Sequence, residues 1–413
     1  MNARKLRLAV RRFEPFETAI GELFESWVPS DGDPVELEMV PLDVQPLHHE
    51  LFDNGGLADG KYDVAFLVTD WLPMAIDEGH LLNLDPWVRT AIPDHDSAWP
   101  PSLRAVQQGP LGVYGLPYHN GPQCLIYRRD LFEDPTERSG FRRAYGRHLR
   151  VPETWDEFLD VVHWFSRPEE GLFGTVMAAF PDAHNTVYDL CLQIWSRGGD
   201  ISDANGQPTL ATPAAHTGLD WYRALVLDPT TTYPGARETD SVRAGEIFSQ
   251  GRVAIMQNWF GFAAHAQLAD TSAVQGNVSV APVPAGAGGT TTSFLVYWVL
   301  GIASGSRNPE LAFDFIRHAT SPSADVLTTL NGGIGCRTAT WTHPAVVEQI
   351  PFFDRMADLH AIARTLPHDT RVPQLAQIID DLVASALTTS KPTADLLAEA
   401  QIRATALYGR GIV

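Results

Sequence analysis

Apolar and polar positions alternate along the first part of the chain in a strand, helix, strand rhythm. Leu6, Leu8 and Val10 share one face of an opening strand. The loop Arg11-Arg12-Phe13-Glu14-Pro15 then leads into a helix on which Phe16, Ala19, Ile20, Leu23, Phe24 and Trp27 recur at helical spacing. Behind Pro34, Val35, Leu37 and Met39 alternate with Glu36 and Glu38 as a second strand. A helical stretch over 47–57 ends in Gly55-Gly56, and Val64-Ala65-Phe66-Leu67-Val68 follows as a continuous apolar run of the kind buried on both faces. Such units predict a parallel sheet, whose ligands sit beyond the carboxyl ends of its strands. The loops at those ends, 11–14, 40–45 and 69–71, would line one edge. Trp71 beside Asp70 offers a flat apolar face next to a hydrogen-bond acceptor, the combination a sugar ring needs. A core-covering Trp71 with Asp70 capping the next helix fits the same residues.

The stretch 111–131 interrupts this rhythm. It reads as an apolar run (Val113 to Leu116), a Pro117 that cannot donate into a central ladder, a polar loop Tyr118-His119-Asn120-Gly121 and a second apolar run from Cys124 to Tyr127, which together predict a hinge. A second alternating set follows. Thr154 and Glu157 form a capping box for a helix over 155–166. A helix over 182–195, ended by Gly198-Gly199, carries His184, Asn185, Tyr188 and Asp189 on its first turns; Tyr188 there is either packed inward or turned to a ligand. A helix over 244–250 stops at Gly251 and precedes a strand ending in Asn258-Trp259. The glycine run 285–289 lacks a Lys-Ser/Thr at phosphate-loop spacing and is expected to be a mobile loop. The first pattern resumes near Thr292 with the apolar run 294–303, which contains Trp298. Asn308-Pro309 opens a helix, the glycine-rich turn 331–337 ends in Arg337, and helices over 373–387 and 393–407 close the chain.

Composition narrows the functional classes. A chain of 413 residues exceeds one compact core and predicts two domains. Its formal charge of −20 repels phosphate backbones and anionic headgroups, which argues against nucleic-acid and membrane-surface roles. Cys124, Cys191 and Cys336 lack CxxC spacing and read as small core residues. His48-His49-Glu50 lacks the HExxH spacing of a zinc helix, so neither metal nor cofactor is expected. No export signal is read at the N-terminus, which leaves two alternatives: a cytosolic chain, or one whose leader has been removed.

In order along the chain, Asp63-Val64 into Asp70-Trp71 and Glu78-Gly79-His80-Leu81-Leu82-Asn83-Leu84, Gly115-Leu116-Pro117-Tyr118 into Leu125-Ile126-Tyr127-Arg128, Leu172-Phe173-Gly174, Gly198-Gly199, 248–256 (FSQGRVAIM), 282–286 (PVPAG) and Asn308-Pro309-Glu310-Leu311-Ala312 form a pattern. It resembles the carbohydrate-type extracellular solute-binding proteins of ABC importers, the maltose-binding-protein-like group. The resemblance implies an α/β type II periplasmic-binding-protein fold: two lobes, each a mostly parallel sheet flanked by helices, with a ligand cleft between them. The first lobe is expected over 1–118 and 293–338 and the second over 119–292 and 339–413, with hinges near 116–121 and 290–295. It further implies a monomer, periplasmic or at the cell surface, that binds a sugar and delivers it to permease subunits by hinge closure. The expected ligand contacts are Arg11, Phe13, Glu14, Asp70, Trp71, Tyr118, His119, Asn120, Gly121, Tyr188, Asn258, Trp259, Trp298 and Arg337.

Aromatic faces would stack on the C–H faces of a pyranose while polar side chains satisfy its hydroxyls. Arg11 and Arg337 carry a separate expectation, since a guanidinium pairs best with a carboxylate: if both line the cleft, an acidic sugar fits better than a neutral one, whereas solvated surface arginines would say nothing. Two rivals share the cleft. One is a carbohydrate hydrolase or lyase with paired carboxylates, for which no acid pair has a distinguishing spacing; the other is a sugar sensor.

Overall fold

The computed structural model describes residues 4–109 and 112–409. Leu111, at the start of the expected hinge stretch, lies outside the described residues, as do Met1 to Ala3. The chain forms two compact units. One comprises the chain up to Gly121, Val296–Met356 and His368–Thr370; the other comprises Pro122–Leu295, Ala357–Pro367 and the chain from Arg371 on.

The first unit is built on a five-stranded sheet in the order Val35–Leu42, Arg4–Arg11, Val64–Val68, Trp298–Ile302, Leu116–His119. The first three strands are parallel, and Trp298–Ile302 runs antiparallel to both of its neighbours, so the other four strands share one direction. Val64–Val68 is buried at every residue, as its unbroken apolar run requires. The helix Glu14–Ser26 buries Phe16, Ile20 and Leu23, each worth about 2 kcal/mol relative to exposure. Phe16 packs on Phe66 with ring centroids 5.5 Å apart. Pro117 is part of a ladder, opposite Val299, but not of a central strand, in keeping with its inability to donate into one. Leu116–His119 is an edge strand, and there the missing N–H can be turned away from the neighbour.

The second unit corrects one expectation. Its three-stranded sheet has Gln123–Arg128 in the centre, antiparallel to both Ile255–Trp259 and Val278–Ala281. The two outer strands do point the same way and are joined through the helix Phe260–Leu268, which is the strand, helix, strand unit that alternation announces. An earlier piece of chain, running the opposite way, lies between them. Alternation along a sequence reports the connection and not what is inserted into it.

The apolar run 294–303 is likewise two strands. Ser293–Phe294 pairs with Ala363–Arg364 in the second unit, while Trp298–Ile302 belongs to the first. Both halves are buried, so hydropathy carries no mark of the change. The glycine loop is well anchored. Ala285 N–H donates to Glu153 O at 2.9 Å, Gly286 N–H donates to Ser196 O at 2.8 Å, and a Cβ on Gly289 would lie 2.0 Å from Ser196 O. Its glycines serve close approach of two backbones.

Candidate functional site

Register defines one edge of the first sheet. Arg4–Arg11, Val35–Leu42, Val64–Val68 and Leu116–His119 all end on it, and Trp298, opening the reversed strand, pairs with both Val68 and His119. The sequence therefore brings Arg11, Phe13, Glu14, Asp70, Trp71, Tyr118, His119, Asn120, Gly121 and Trp298 to a single rim. Their roles divide by exposure. Trp71 is only 3 % exposed and meets Trp298 edge to face at 6.0 Å, with His48 (5.1 Å) and Phe52 (6.0 Å) packed around it. It supports Trp298, which is partly exposed. Tyr118 is buried against Phe66 at 4.9 Å, and Asn120 is buried with its N–H donating to Ile334 O at 2.9 Å. Phe13 and Asp70 are partly exposed and Glu14 is exposed.

His119 accepts the Ile334 N–H at Nδ1, 2.9 Å away, and its covered position lowers its pKa to about 3. The imidazole is neutral at physiological pH, and Nε2 carries its proton. An uncharged ring with one N–H donor suits a hydroxyl.

Both expected cations are committed within the first unit. Arg11 Nη1 donates to Asp43 Oδ1 at 2.9 Å, and Arg12 Nη1 donates to Asp43 Oδ2 at 3.1 Å. Arg337 is 5 % exposed; its Nη1 donates to Asp94 at 2.8 Å, its Nε donates to Thr320 O at 2.8 Å, and its guanidinium carbon lies 4.7 Å from the centre of the Trp99 ring. Asp325 accepts the backbone N–H groups of Cys336 and Arg337 at 2.8 and 3.0 Å, which fixes the turn carrying that guanidinium.

In the second unit, Trp259 ends the strand Ile255–Trp259 opposite Gln123. Its indole N–H donates to Asn185 Oδ1 at 3.4 Å, and Asn185 Nδ2 donates to Asp182 Oδ2 at 2.7 Å. Asp182 Oδ1 accepts the N–H groups of His184 and Asn185, both at 2.9 Å, and so satisfies the first backbone donors at the start of the helix Asn185–Trp195. Tyr188 lies 5.5 Å from Trp259 and 4.5 Å from Phe294, buried between them, so the inward-packing reading describes most of its surface. Asn258 is buried too: its amide donates to Ser241 O at 3.0 Å and accepts the Trp259 N–H at 2.8 Å. Trp259 is left as the partly exposed face.

Asp43, His48, Phe52, Asn185 and Phe294 shape these rims without having been singled out as contacts. The loop 40–45 was legible as part of the edge, and Asn185 as part of the helix start; only the ring packing identifies the others. His49 and Glu50 are engaged with Asp53 and Lys61, and among the described residues no group of His, Cys, Asp or Glu is placed to hold a metal ion.

The sequence matches the bacterial extracellular solute-binding protein family over residues 52–326. The chain belongs to that family. It is 24 % identical over 94 % of its length to a probable ABC transporter-binding protein of Deinococcus radiodurans, 90 % of which is covered. Among solved structures, maltose-bound MalE3 of T. maritima is similar with a TM-score of 0.85 and 22 % identity, covering 98 % of this chain and 100 % of the other. An ABC transporter solute-binding protein of Agrobacterium radiobacter K84 in complex with ribitol matches with a TM-score of 0.85 and 24 % identity, covering 98 % of each chain. The type II fold expected from the sequence is thus the fold of these proteins.

In this solute-binding protein each unit presents a partly exposed indole at its strand ends, backed by buried rings. The first adds a neutral imidazole donor and partly exposed or exposed carboxylates, and the cations expected to face an anion already hold carboxylates. Such surfaces offer apolar faces to C–H groups and hydrogen-bonding atoms to hydroxyls.

Proposed function

We propose that this protein binds a neutral sugar or polyol and hands it to the permease of an ABC importer, working as a non-enzymatic monomer in the periplasm or at the cell surface. The observation that supports this reading is a partly exposed indole at the strand ends of each unit taken by itself, Trp298 in the first and Trp259 in the second, together with guanidinium groups in the first unit that are already neutralised by Asp43 and Asp94. The maltose and ribitol held by its structural neighbours span the same chemistry, a ring sugar and an open-chain polyol.

The test is a thermal-shift screen against neutral sugars, oligosaccharides, polyols and sugar acids, with recovery and analysis of each hit. A ligand at a hundred times its Kd adds about 2.7 kcal/mol. A neutral hit recovered unchanged supports the proposal. A converted hit moves the protein among carbohydrate-active enzymes, and a hit confined to sugar acids removes the neutral-ligand reading.

A further inference from the structure

The first unit holds a cavity of about 570 Å³ whose walls all come from that unit. It lies at the end of the sheet opposite the strand-end rim. Arg4, on its wall, opens the strand that Arg11 closes, about 23 Å away at the rise of a strand. Arg307 and Asn308 follow the reversed strand Trp298–Ile302, which leaves the sheet at that same end. One wall is aromatic: Trp87, on the helix Asp85–Ala91, is partly exposed and stacks on the buried ring of Phe313, on the helix Pro309–Ala319, with centroids 5.4 Å apart and 20° between planes. The stack holds the indole in one orientation.

Four of the charges around the cavity are already paired. Arg4 holds Asp31 through two bonds of 2.6 and 2.7 Å, and Arg317 holds Asp314 at 2.7 Å. Three neighbouring polar side chains are not engaged. Arg307 and Glu310 are exposed, and neither they nor the Asn308 amide have a side-chain hydrogen bond or ion pair among the described residues. Asn308 occupies the position before the helix Pro309–Ala319, where an Asn side chain ordinarily accepts a backbone N–H, and it makes no such bond. Its amide is left for the cavity. The walls carry three guanidinium groups and three carboxylates. An anion gains at Arg307 what it loses at Glu310, and a cation the reverse, whereas a hydroxyl accepts from the one and donates to the other. A concave space of this volume, with a braced indole and unengaged donors and acceptors side by side, is built for a small polyhydroxylated ring rather than for a protein surface.

We propose that this cavity is a second saccharide site, independent of the strand-end rim, which takes one ring of a neutral sugar against Trp87 and bonds its hydroxyls through Arg307, Asn308 and Glu310. The length of the sheet separates it from the rim of the first unit, so the solute that fills one leaves the other open.

The experiment is calorimetric titration of wild type, Arg307→Ala, Glu310→Gln and, as the rim control, Trp259→Ala with glucose, maltose, maltotriose and ribitol. Both substituted cavity side chains are exposed and unpaired, so these two variants should melt with wild type, and a change in Kd then reports contact with the sugar. Wild type is expected to take a ring sugar at two sites, one of them weakened about tenfold by Arg307→Ala and by Glu310→Gln and unmoved by Trp259→Ala. Sugar binding that neither cavity variant alters would overturn the second site while leaving the rim in place. A single site weakened by both cavity variants and untouched by Trp259→Ala would keep the cavity and remove the rim. Wild type that takes none of the four solutes removes both.

Discussion

Arg11 Nη1 and Asp43 Oδ1 stand 2.9 Å apart at the strand-end edge of the first sheet, and the guanidinium is nine-tenths covered while the carboxylate is half exposed. The pair converts a residue that looks like an anion receptor into a neutral part of the rim. A sugar acid would have to compete with Asp43 for the same donor, and would bring its own desolvation cost. Glucuronate is therefore expected to bind no tighter than glucose, and the affinity for any neutral ligand to stay flat between low and high salt. Titrations at two ionic strengths check this; tighter, salt-sensitive binding of the acid would show that Asp43 yields Arg11 to ligand.

Trp259 is held by its indole N–H on Asn185 and backed by Tyr188 at 5.5 Å. Trp259→Ala is expected to weaken sugar binding about tenfold or more, since a stacking face is lost together with its orientation. Trp259→Phe keeps an apolar face without the indole donor and should fall between the two. Parallel Kd measurements decide it, and an unchanged affinity in Trp259→Ala would remove this residue from the site.

Arg337 offers a contrast, because its contacts describe a structural role. Its carboxylate partner Asp94 is half exposed, so the ion pair itself contributes little. The Thr320 carbonyl and the Trp99 face lose their partner when the side chain is removed. Arg337→Ala is expected to cost about 2 kcal/mol of stability and to leave sugar Kd values unchanged for the folded protein. Denaturant melts paired with titrations separate the two; lost affinity at unchanged stability would return Arg337 to the ligand.

Much of this was legible in the sequence because hydropathy and turn chemistry act locally. Leu6, Leu8 and Val10, the run 64–68 and the Thr154 cap marked elements that the structure contains, and the rule that parallel sheets bind at their carboxyl ends gathered residues as far apart as Phe13 and Trp71 on one rim. What the sequence did not disclose is pairwise. Nothing local says that Trp71 lies under Trp298, that Asp43 answers Arg11, or that Gln123–Arg128 runs between two strands of the opposite sense. Burial was the hardest property to read. Tyr188 and Trp259 are both aromatic residues at element ends, yet one is enclosed between Trp259 and Phe294 and the other keeps part of its ring open.

Asp189 carries the clearest pH dependence. It is 4 % exposed beneath the Trp259 rim and accepts from Gln257 Nε2 at 2.7 Å, Gln123 Nε2 at 3.2 Å and the Tyr222 hydroxyl at 3.4 Å. Burial pushes its pKa up to about 7, although those three donors favour the charged form. The folded value is thus raised above the ordinary carboxylate value of about 4. Its contribution to stability is fully present below pH of about 4, where both states are protonated, and is lost as pH rises to about 7. Between these limits the unfolded chain has released a proton that the folded chain retains, so stability falls by about 1.4 kcal/mol per pH unit from this group alone. Asp189→Asn keeps the shape and an acceptor oxygen without the titration. Melting temperatures of wild type and Asp189→Asn taken across pH 4 to 8 should therefore diverge in favour of the variant as pH rises to about 7 and run parallel above it. Parallel curves throughout would mean that Asp189 ionises in the folded protein as freely as in water, and that its three donors outweigh its burial.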